Sequence, residues 1–240
     1  MNEIQLLKQG ASEIGVELTD TQVNQFIKYM EMLIEWNKNV NLTAITDRED
    51  IIKKHFLDCL SAATMEAFKK DGSLIDIGTG AGFPGLPLKI AFPELQVTLV
   101  DSLQKRIGFL EAVIEELGLS NVKCVHSRAE DLGKDMLYRE QYDMCVSRAV
   151  AHLAVLCEYC LPFIKVGGKF YSFKGQKMQQ EKDESAKAID LLGGEVELVQ
   201  DTPIPYTDII HNMIQIGKVR ATPTQYPRKA GKPSKSPIGN

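Results

Sequence analysis

Apolar residues in the first 70 positions recur at intervals of three and four, the spacing typical of amphipathic α-helices. One stripe runs from Val23 to Ile34, and Thr19 lies where it can cap that helix. Asp47 can cap a later one. The predicted helices cover residues 3–14, 19–36 and 47–70, with a polar loop at 37–43. The pattern therefore predicts an all-helical extension over residues 1–70.

From residue 74 onward, short apolar runs alternate with helical periods, which predicts a parallel sheet covered by helices on both faces. The predicted strands are 74–77, 96–101, 121–126, 142–147, 169–174, 195–200 and 213–219. The predicted helices begin at Pro84, Leu103, Leu153 and Gln176. Gly167 and Gly168 predict a turn before the fifth strand. The last two strands have no helix between them, so we expect an antiparallel pair at an edge.

The C-terminal end has a different composition from the rest of the chain. Residues 221–240 contain four prolines and little apolar content, so we expect a tail that is extended or partly disordered until bound. We therefore predict three parts: a helical extension at 1–70, an α/β domain at 71–220 and a tail at 221–240. Residues 218–240 hold six basic residues and no acidic one, although the whole chain has a net charge of −4. A basic tail on an acidic body is typical of phosphate binding, and a merely solubilising tail is the alternative.

Cysteine content and hydropathy indicate the cellular compartment of the protein. The chain has five cysteines without disulfide-type spacing, which predicts free thiols in the cytoplasm. Cys157 and Cys160 form a C-x-x-C in an apolar helical run, where buried structural thiols are expected and a metal site is not. No apolar run approaches the ~20 residues that span a bilayer, and the acidic, amphipathic N-terminus is unlike a signal peptide.

Residues 74–88, LIDIGTGAGFPGLPL, read as a buried strand, a glycine-rich turn and the start of a helix. Glycines let a backbone approach a ligand closely, and the first N–H groups of a helix face the end of the preceding strand. This arrangement predicts a nucleotide site.

Two nucleotide classes fit that turn. Gly80-x-Gly82-x-x-Gly85 matches the dinucleotide fingerprint, which alone is weak evidence for an NAD site. However, Gly78 directly follows the strand, so the operative pattern is Gly78-x-Gly80-x-Gly82. Asp76 lies within the strand, where a carboxylate would repel a pyrophosphate and attract the ammonium group of S-adenosylmethionine. This electrostatic difference favours the methyl donor over NAD.

Charged residues also follow the other predicted strands. Asp101 ends the second strand, where a carboxylate can accept hydrogen bonds from both ribose hydroxyls. The turn at 127–131 follows the third strand, and its N–H groups or Glu130 could bind an adenine edge. Arg148 follows the fourth. Since ligands of open α/β sheets bind at the carboxyl ends of the strands, these residues predict one site with Asp76.

Several stretches resemble the bacterial glucose-inhibited division protein B family. They are NLTAI, HFLDCL, DIGTGAGFPGLPL, VTLVDSLQKRIGFL, HSRAEDL, SRAVAHL, GGKFYSFKG and YPRKAGKPSKSPI. The resemblance runs from about Trp36 to Ile238, with Cys59 and Thr79 at positions where serine is common. It implies a Rossmann-like class I S-adenosylmethionine-dependent methyltransferase fold with an N-terminal helical extension. It also implies methylation of N7 of one guanine in 16S ribosomal RNA, with S-adenosylhomocysteine as product. By matching positions, the donor is held by Gly78, Phe83, Ala129, Glu130 and Arg148.

Guanine N7 carries a lone pair and no proton, so its methylation requires no general base and depends mostly on positioning. We assign no catalytic acid or base; Arg148 is the nearest candidate, and binding the donor carboxylate is its expected role. Phe83 is either a stacking surface for the base or packing for the loop. His55 and Asp58 are expected to border the acceptor site, and a purely packing role is an equal alternative for His55.

We expect the partner to be 16S ribosomal RNA, within the 30S subunit or an assembly intermediate, and the enzyme to be a monomer that binds no metal and no membrane. Candidate RNA-binding residues are Asn41, Lys174, Arg220, Arg228, Lys229, Lys232 and Lys235. The alternatives are an NAD-dependent oxidoreductase and a non-enzymatic RNA-binding assembly factor.

We expect removal of residues 221–240 to weaken RNA binding and its salt dependence while leaving cofactor affinity intact.

Overall fold

A seven-stranded sheet forms the centre of the protein in the computed structural model, which describes residues 1–148, 151–175 and 178–239. The strands are β1 (Ser73–Ile77), β2 (Gln96–Asp101), β3 (Val122–His126), β4 (Tyr142–Arg148), β5 (Ile164–Lys174), β6 (Gly194–Pro203) and β7 (Ile210–Lys218). Their order across the sheet is β3-β2-β1-β4-β5-β7-β6. The first five are parallel, and β7 is antiparallel to both β5 and β6. The predicted sheet and its antiparallel edge are confirmed.

Helices precede, connect and follow these strands. They are α1 (Glu3–Glu13), α2 (Asp20–Val40), α3 (Arg48–Ile51), a π-helical turn (Ile52–Leu57), α4 (Asp58–Leu60), a 3-10 turn (Ser61–Thr64), α5 (Gly85–Ala91), α6 (Gln104–Glu116), α7 (Ala129–Leu132), α8 (Leu153–Cys160), a 3-10 turn (Leu161–Phe163), α9 (Met178–Leu191) and α10 (Lys232–Lys235). None of the helices in the described ranges is long and apolar enough to cross a membrane.

The chain direction across the sheet reverses between β1 and β4. From β1 the chain proceeds outward to β2 and β3, and then returns to place β4 on the other side of β1. In register, Ile77 lies beside Val100, and Asp76 lies beside Val146. Because ligands of open α/β sheets bind where the strand order reverses, the carboxyl ends of β1, β2 and β4 define the place to look for a site.

The N-terminal helices pack directly on the sheet domain. Phe26, Tyr29 and Leu33 on α2 are fully buried in one core with Leu86 of α5 and Phe109 of α6. This burial along one face is what the apolar stripe predicts. At the N-terminus of α2, Thr19 and Gln22 form the reciprocal cap.

Two predictions for the helical extension are wrong at their ends. Helix α2 continues through Asn37 to Val40 and ends where Asn41 turns left-handed, with φ of 58°. The Asn37 side chain accepts hydrogen bonds from the N–H groups of Leu42 and Thr43, at 2.6 and 2.9 Å, so it caps the turn from within the helix. The third helical stretch ends at Thr64 and not near Lys70, because the apolar residues beyond it reach the core through a turn.

The strand boundaries also differ from the predictions. Strand β5 begins at Ile164 and contains Gly167 and Gly168 as an irregularity instead of a turn before it. The pairing with β4 shifts from Tyr142 opposite Ile164 to Met144 opposite Lys169, so the intervening residues bulge. Strand β6 continues beyond its predicted end to Pro203, and strand β7 begins before its predicted start, at Ile210. The predicted start of α9 at Gln176 lies outside the described residues.

The prediction of an extended or partly disordered tail is wrong for the described residues. Arg228 donates through its backbone N–H, Nε and Nη2 to the carboxylate of Glu158, which is 1% exposed. Lys218 donates to the Leu161 carbonyl and to the Thr222 hydroxyl, at 2.6 and 2.5 Å. Apolar content is low in this segment, but buried ion pairs and hydrogen bonds to carbonyls attach it to the body.

The ion pair between Arg228 and Glu158 gives a stability prediction. Arg228→Met leaves a buried carboxylate without its partner and should lower the free energy of unfolding by about 3 kcal/mol, measured by urea unfolding. Arg220→Met is the matched control, because the pair of Arg220 with Asp190 is exposed (55% and 77%) and should change stability by less than about 1 kcal/mol. Equal effects at the two positions would contradict a tail held by a buried charge pair.

Candidate active site

The glycine-rich turn after β1 wraps closely around neighbouring side chains on one side and is open on the other. Gly78, Gly80 and Gly82 have φ of 72°, 61° and 100°, in the left-handed region. A Cβ on Gly82 would lie 2.6 Å from Leu86 Cδ1 and 2.7 Å from Tyr29 Oη, so no larger residue fits there. A Cβ on Gly80 would meet nothing within 4 Å. Leu86 and Tyr29 therefore fix one side of the turn, and the backbone at Gly80 is exposed on the other side.

Asp101 at the end of β2 is held next to that turn. Its Oδ2 accepts hydrogen bonds from the Gly80 N–H at 3.0 Å and from Arg106 Nη1 at 3.2 Å, and its Oδ1 accepts from the Leu103 N–H at 2.9 Å. These donors fix the carboxylate of Asp101, which is 3% exposed, in the wall of a pocket of about 180 Å³. We call it the donor pocket; it is lined by Ile77, Gly78, Val100, Asp101, Ser102, Ser127, Arg128, Ala129, Glu130, Tyr159, Gly231 and Ser234.

Two further sequence regions line the donor pocket. Ala129 and Glu130 begin α7, so the predicted turn after β3 is a short helix. The Glu130 carboxylate, 4% exposed, accepts the Gly231 N–H at 2.8 Å. Ser234 completes the wall and lies 2.8 Å from the Tyr159 hydroxyl. Glycine and serine from the C-terminal end therefore line this pocket, which the sequence pattern did not indicate.

Asp76 lies beneath the glycine turn instead of lining the pocket. It is fully buried, and its Oδ2 accepts hydrogen bonds from Thr79 Oγ1 at 2.7 Å and from the Gly85 N–H at 2.8 Å. Its Oδ1 has no hydrogen-bond partner in the described part of the chain. Burial raises the pKa of Asp76 to about 7, against the lowering effect of the bonds from Thr79 and Gly85. One carboxylate oxygen therefore shapes the turn, and the other is buried without a partner.

Arg148, at the end of β4, connects the glycine turn to the helical extension. Its Nη1 donates to Asp58 Oδ2 at 2.7 Å, and its Nη2 lies 3.1 Å from His55 Nδ1. The guanidinium carbon lies 5.0 Å from the centre of the Phe83 ring, and the His55 ring stacks on Phe83 at 4.5 Å. Phe83 is only 6% exposed. Its ring faces are contacted by protein groups, so it packs the loop rather than offering a free stacking surface.

A second strand contributes to this network. His211 on β7 places Nδ1 at 2.7 Å from Asp58 Oδ1, and Asp58 is 1% exposed. Burial would raise the pKa of the Asp58 carboxyl, but His211 and Arg148 together hold that pKa below its usual value. The hydrogen bond to Asp58 raises the pKa of His211. No local sequence pattern marks His211, because it is a single histidine on a strand that lies between β5 and β6 in the sheet.

His55 is uncharged in this network. Burial, followed by the charge of Arg148, lowers the pKa of His55 to about 4. Arg148 can only donate, so Nδ1 of His55 accepts from it and Nε2 carries the proton, 2.8 Å from Thr43 Oγ1. The ring is thus oriented by Thr43 on one side and Arg148 on the other.

A cavity of about 560 Å³ opens on the β4–β5 side of Arg148. We call it the acceptor cavity; it is lined by Lys54, His55, Asp58, Arg148, Ala151, Phe173, Lys174, Gly175, Glu181 and His211. Lys174 is only 8% exposed, and its Nζ lies 2.7 Å from Glu181 Oε2. His55 and Asp58, which were expected to border an acceptor site, lie in this cavity wall.

The candidate RNA-binding residues do not form one surface. Lys174 and Arg228 make ion pairs with largely buried carboxylates, and exposed Arg220 pairs with Asp190. Asn41 is exposed at the end of α2. The lysines at 229, 232 and 235 are exposed and lie together in sequence around α10. Lys174 and Arg228 are therefore engaged inside the protein, contrary to the expectation of free cations.

The donor pocket fits an adenosine with a cationic extension. Asp101 presents a fixed carboxylate suited to ribose hydroxyls, and Gly80 leaves its outer face open. The unpartnered Oδ1 of Asp76 could attract an ammonium group, although it lies beneath the glycine turn and does not line the pocket. By contrast, the first helical N–H, that of Gly85, is already taken by Asp76. A pyrophosphate at that helix terminus would meet an anion in place of a free donor, so the dinucleotide alternative fits poorly.

Comparison with known proteins agrees with these features. The profile of the family described as GidB, rRNA small subunit methyltransferase G, matches residues 22–206. The "Ribosomal RNA small subunit methyltransferase G" of Alkaliphilus oremlandii is 54% identical over 233 residues, covering 97% of this chain and 98% of the relative. The protein of the same name from Alkaliphilus metalliredigens is 51% identical over 238 residues, covering 99% and 100%.

A solved structure shares the fold. P. horikoshii TYW2 in complex with MeSAdo superposes with a TM-score of 0.52 at 17% identity, over 69% of this chain and 61% of that one. The expected Rossmann-like class I methyltransferase fold is confirmed. The family profile matches most of the chain, and the relatives are about half identical to it over nearly their full length. The chain therefore belongs to the ribosomal RNA small subunit methyltransferase G (GidB) family.

Proposed function

We propose that this ribosomal RNA methyltransferase uses S-adenosylmethionine to methylate N7 of a guanine in 16S ribosomal RNA. The observation that carries the proposal is a pair of cavities at the carboxyl ends of the parallel strands, the larger of which is lined by Arg148. The donor pocket lies at the ends of β1 and β2, and the acceptor cavity lies at the ends of β4 and β5. S-adenosylmethionine, when bound, supplies a methyl group on a sulfonium. The residues of the chain orient donor and acceptor.

On the donor side, we assign recognition to fixed backbone and carboxylate groups. Asp101 binds the ribose hydroxyls, and Ala129 and Glu130 flank the adenine. Gly78 and Gly80 let the donor approach the turn. Asp76 Oδ1 accepts a hydrogen bond from the donor ammonium group. Phe83 acts indirectly by packing the turn against His55 and Arg148.

On the acceptor side, the charge distribution suits a neutral nucleophile. Guanine N7 has no proton to remove, so the reaction needs no general base. The purine becomes positively charged as the methyl group transfers, and nearby uncompensated cations would oppose this. Arg148 is paired with Asp58 and His55 is uncharged, so neither adds an unopposed positive charge. Arg148 remains the candidate to bind the carboxylate of the donor.

We assign RNA contact to the exposed lysines 229, 232 and 235, with Asn41 near the acceptor side. Lysine contacts supply affinity through phosphates rather than base identity. The target base must be unstacked to enter a cavity of this kind. We propose that the substrate is 16S RNA within the 30S subunit or an assembly intermediate, and that a monomer acts on it in the cytoplasm.

Methyl transfer is tested with labelled S-adenosylmethionine and unmethylated 30S subunits. Wild type should label 16S RNA, and digestion should yield 7-methylguanosine. Gly80→Asp should abolish labelling, because a negatively charged side chain would enter the open face of the donor pocket. Lys70→Gln, an exposed change outside both pockets, is the control and should retain full activity.

Two outcomes would contradict the proposal. If wild type labels no ribosomal RNA but binds it, the chain is an assembly factor. If NADH raises the thermal unfolding temperature and S-adenosylhomocysteine does not, the oxidoreductase alternative is correct.

The assignment of Asp76 predicts how donor binding depends on pH. Its carboxyl, with a pKa near 7 in the free enzyme, is protonated at lower pH, whereas an ammonium ligand favours the ionised form. Affinity for S-adenosylhomocysteine should therefore rise with pH from 5.5 to 7.5, by up to about tenfold per unit below 7.

Asp76→Asn is the matched variant for calorimetric titration over this range. It keeps an oxygen for the Thr79 and Gly85 donors and cannot ionise. Its affinity should be flat with pH and weaker than wild type at pH 7.5. A pH-independent affinity in wild type would rule out contact between this carboxylate and the ammonium group.

A further inference from the structure

The donor pocket has two walls that come from distant parts of the sequence. The inner wall is formed by the ends of β1, β2 and β3 and by α7. The outer wall is formed by Tyr159 of α8 with Gly231 and Ser234. We call residues 228–239, which contain these last two, the C-terminal segment. Without it, the pocket would be open to solvent on this side.

Three contacts attach the C-terminal segment around the pocket. The Gly231 N–H donates to Glu130 Oε1 at 2.8 Å, and Ser234 Oγ lies 2.8 Å from the Tyr159 hydroxyl. Arg228 binds the buried Glu158 carboxylate at the base of the segment. Glu130 is therefore shared between the pocket and the segment. A donor that orders Glu130 also favours docking of the segment.

The outward face of the same segment is strongly basic. Lys229, Lys232 and Lys235 are exposed, and none of them makes an ion pair with a described residue. Two of these lysines belong to α10, the four-residue helix that carries Ser234. A phosphate bound to these lysines would contact the element that closes the donor pocket, on the side away from the ligand.

We propose that the C-terminal segment completes the methyl-donor pocket and that RNA phosphates bound to its lysines hold it closed. The identity of donor and RNA rests on the proposed function. Since binding coupling is reciprocal, RNA raises the affinity for the donor and the donor raises the affinity for RNA by the same factor. The docked segment thus reverses the expectation that removing the tail leaves cofactor affinity intact.

The first test measures S-adenosylhomocysteine affinity by calorimetry without RNA. Deletion of residues 229–240 keeps the Arg228–Glu158 pair and should weaken affinity at least about fivefold. Tyr159→Phe keeps the chain length and removes only the hydroxyl, which contacts Ser234 and lies beside Glu130, so it should weaken affinity about two- to threefold. Unchanged affinity in both variants overturns the proposal. If wild type itself fails to bind, the proposed function fails as well, which separates the two claims.

The second test adds an unmethylated 16S RNA transcript. In wild type, RNA should tighten S-adenosylhomocysteine binding by about fivefold or more, within the usual range of coupling between sites. The triple variant Lys229→Gln, Lys232→Gln, Lys235→Gln should lose this gain. The matched triple variant Lys8→Gln, Lys28→Gln, Lys70→Gln removes the same charge from exposed positions on the helical extension and should keep it. Equal gains in the two triple variants overturn the coupling.

Limited trypsin digestion of the full chain provides a readout of docking that does not depend on activity. S-adenosylhomocysteine should slow cleavage after Lys229 and Lys235, and cleavage after Lys70 should be unaffected. RNA and ligand together should protect the segment more than either alone. Cleavage of the segment at the same rate with and without ligand contradicts a segment that closes on the donor.

Discussion

The site depends on one buried ion pair, between Asp58 of the helical extension and Arg148 at the end of β4. Both side chains are largely buried, 1% and 14% exposed, so each charge needs the other. Arg148 also contacts His55 and lies over Phe83 in the glycine turn. A single guanidinium therefore connects the helical extension, the parallel sheet and the donor turn. For this reason, the geometry of the glycine turn depends on the helical extension as well as on the sheet.

The same pair explains how a strongly charged site can serve a reaction that creates a cation on the acceptor. The Arg148 charge is balanced by Asp58, which His211 also contacts. His55, between Arg148 and Thr43, stays neutral because its pKa lies at about 4. On the donor side, the Oδ1 oxygen of Asp76 has no hydrogen-bond partner among the described residues. An ionisable carboxyl, with its pKa raised to about 7, thus lies beneath the glycine turn on the donor side, and positive charge is compensated next to the acceptor cavity.

Sequence patterns predicted the parts of this arrangement that depend on neighbouring residues. The glycine turn, the strands and Asp101 follow from local spacing and from the rule that ligands lie at the ends of parallel strands. His211 with Asp58, Tyr29 with Ala81, and Gly231 with Glu130 are separated by 153, 52 and 101 residues. No local period encodes such pairs, so single-sequence reasoning could not identify them.

The C-terminal segment shows a different reason for failure. Its low apolar content predicted disorder, because burial of apolar surface usually compensates the entropy of ordering a chain. Here Arg228 binds a buried carboxylate, and the Arg139 guanidinium donates to the carbonyls of Thr222 and Tyr226 at 2.7 and 2.8 Å. Composition does not reveal whether a basic residue faces solvent or a buried acid. For the same reason Lys174 was predicted to bind RNA, whereas it pairs with Glu181 in the wall of the acceptor cavity.

A double-mutant cycle on Asp58 and Arg148, measured as the dissociation constant of S-adenosylhomocysteine, tests the central role of this ion pair most directly. Neither Asp58 nor Arg148 lines the donor pocket, so Asp58→Asn should change donor affinity only indirectly, through its contacts with Arg148 and His211. Asp58→Asn and Arg148→Gln should each weaken binding about tenfold or more, and the double variant should be no weaker than the worse single one. Unchanged affinity in Asp58→Asn, or fully additive losses, would contradict a donor turn held in place by this pair.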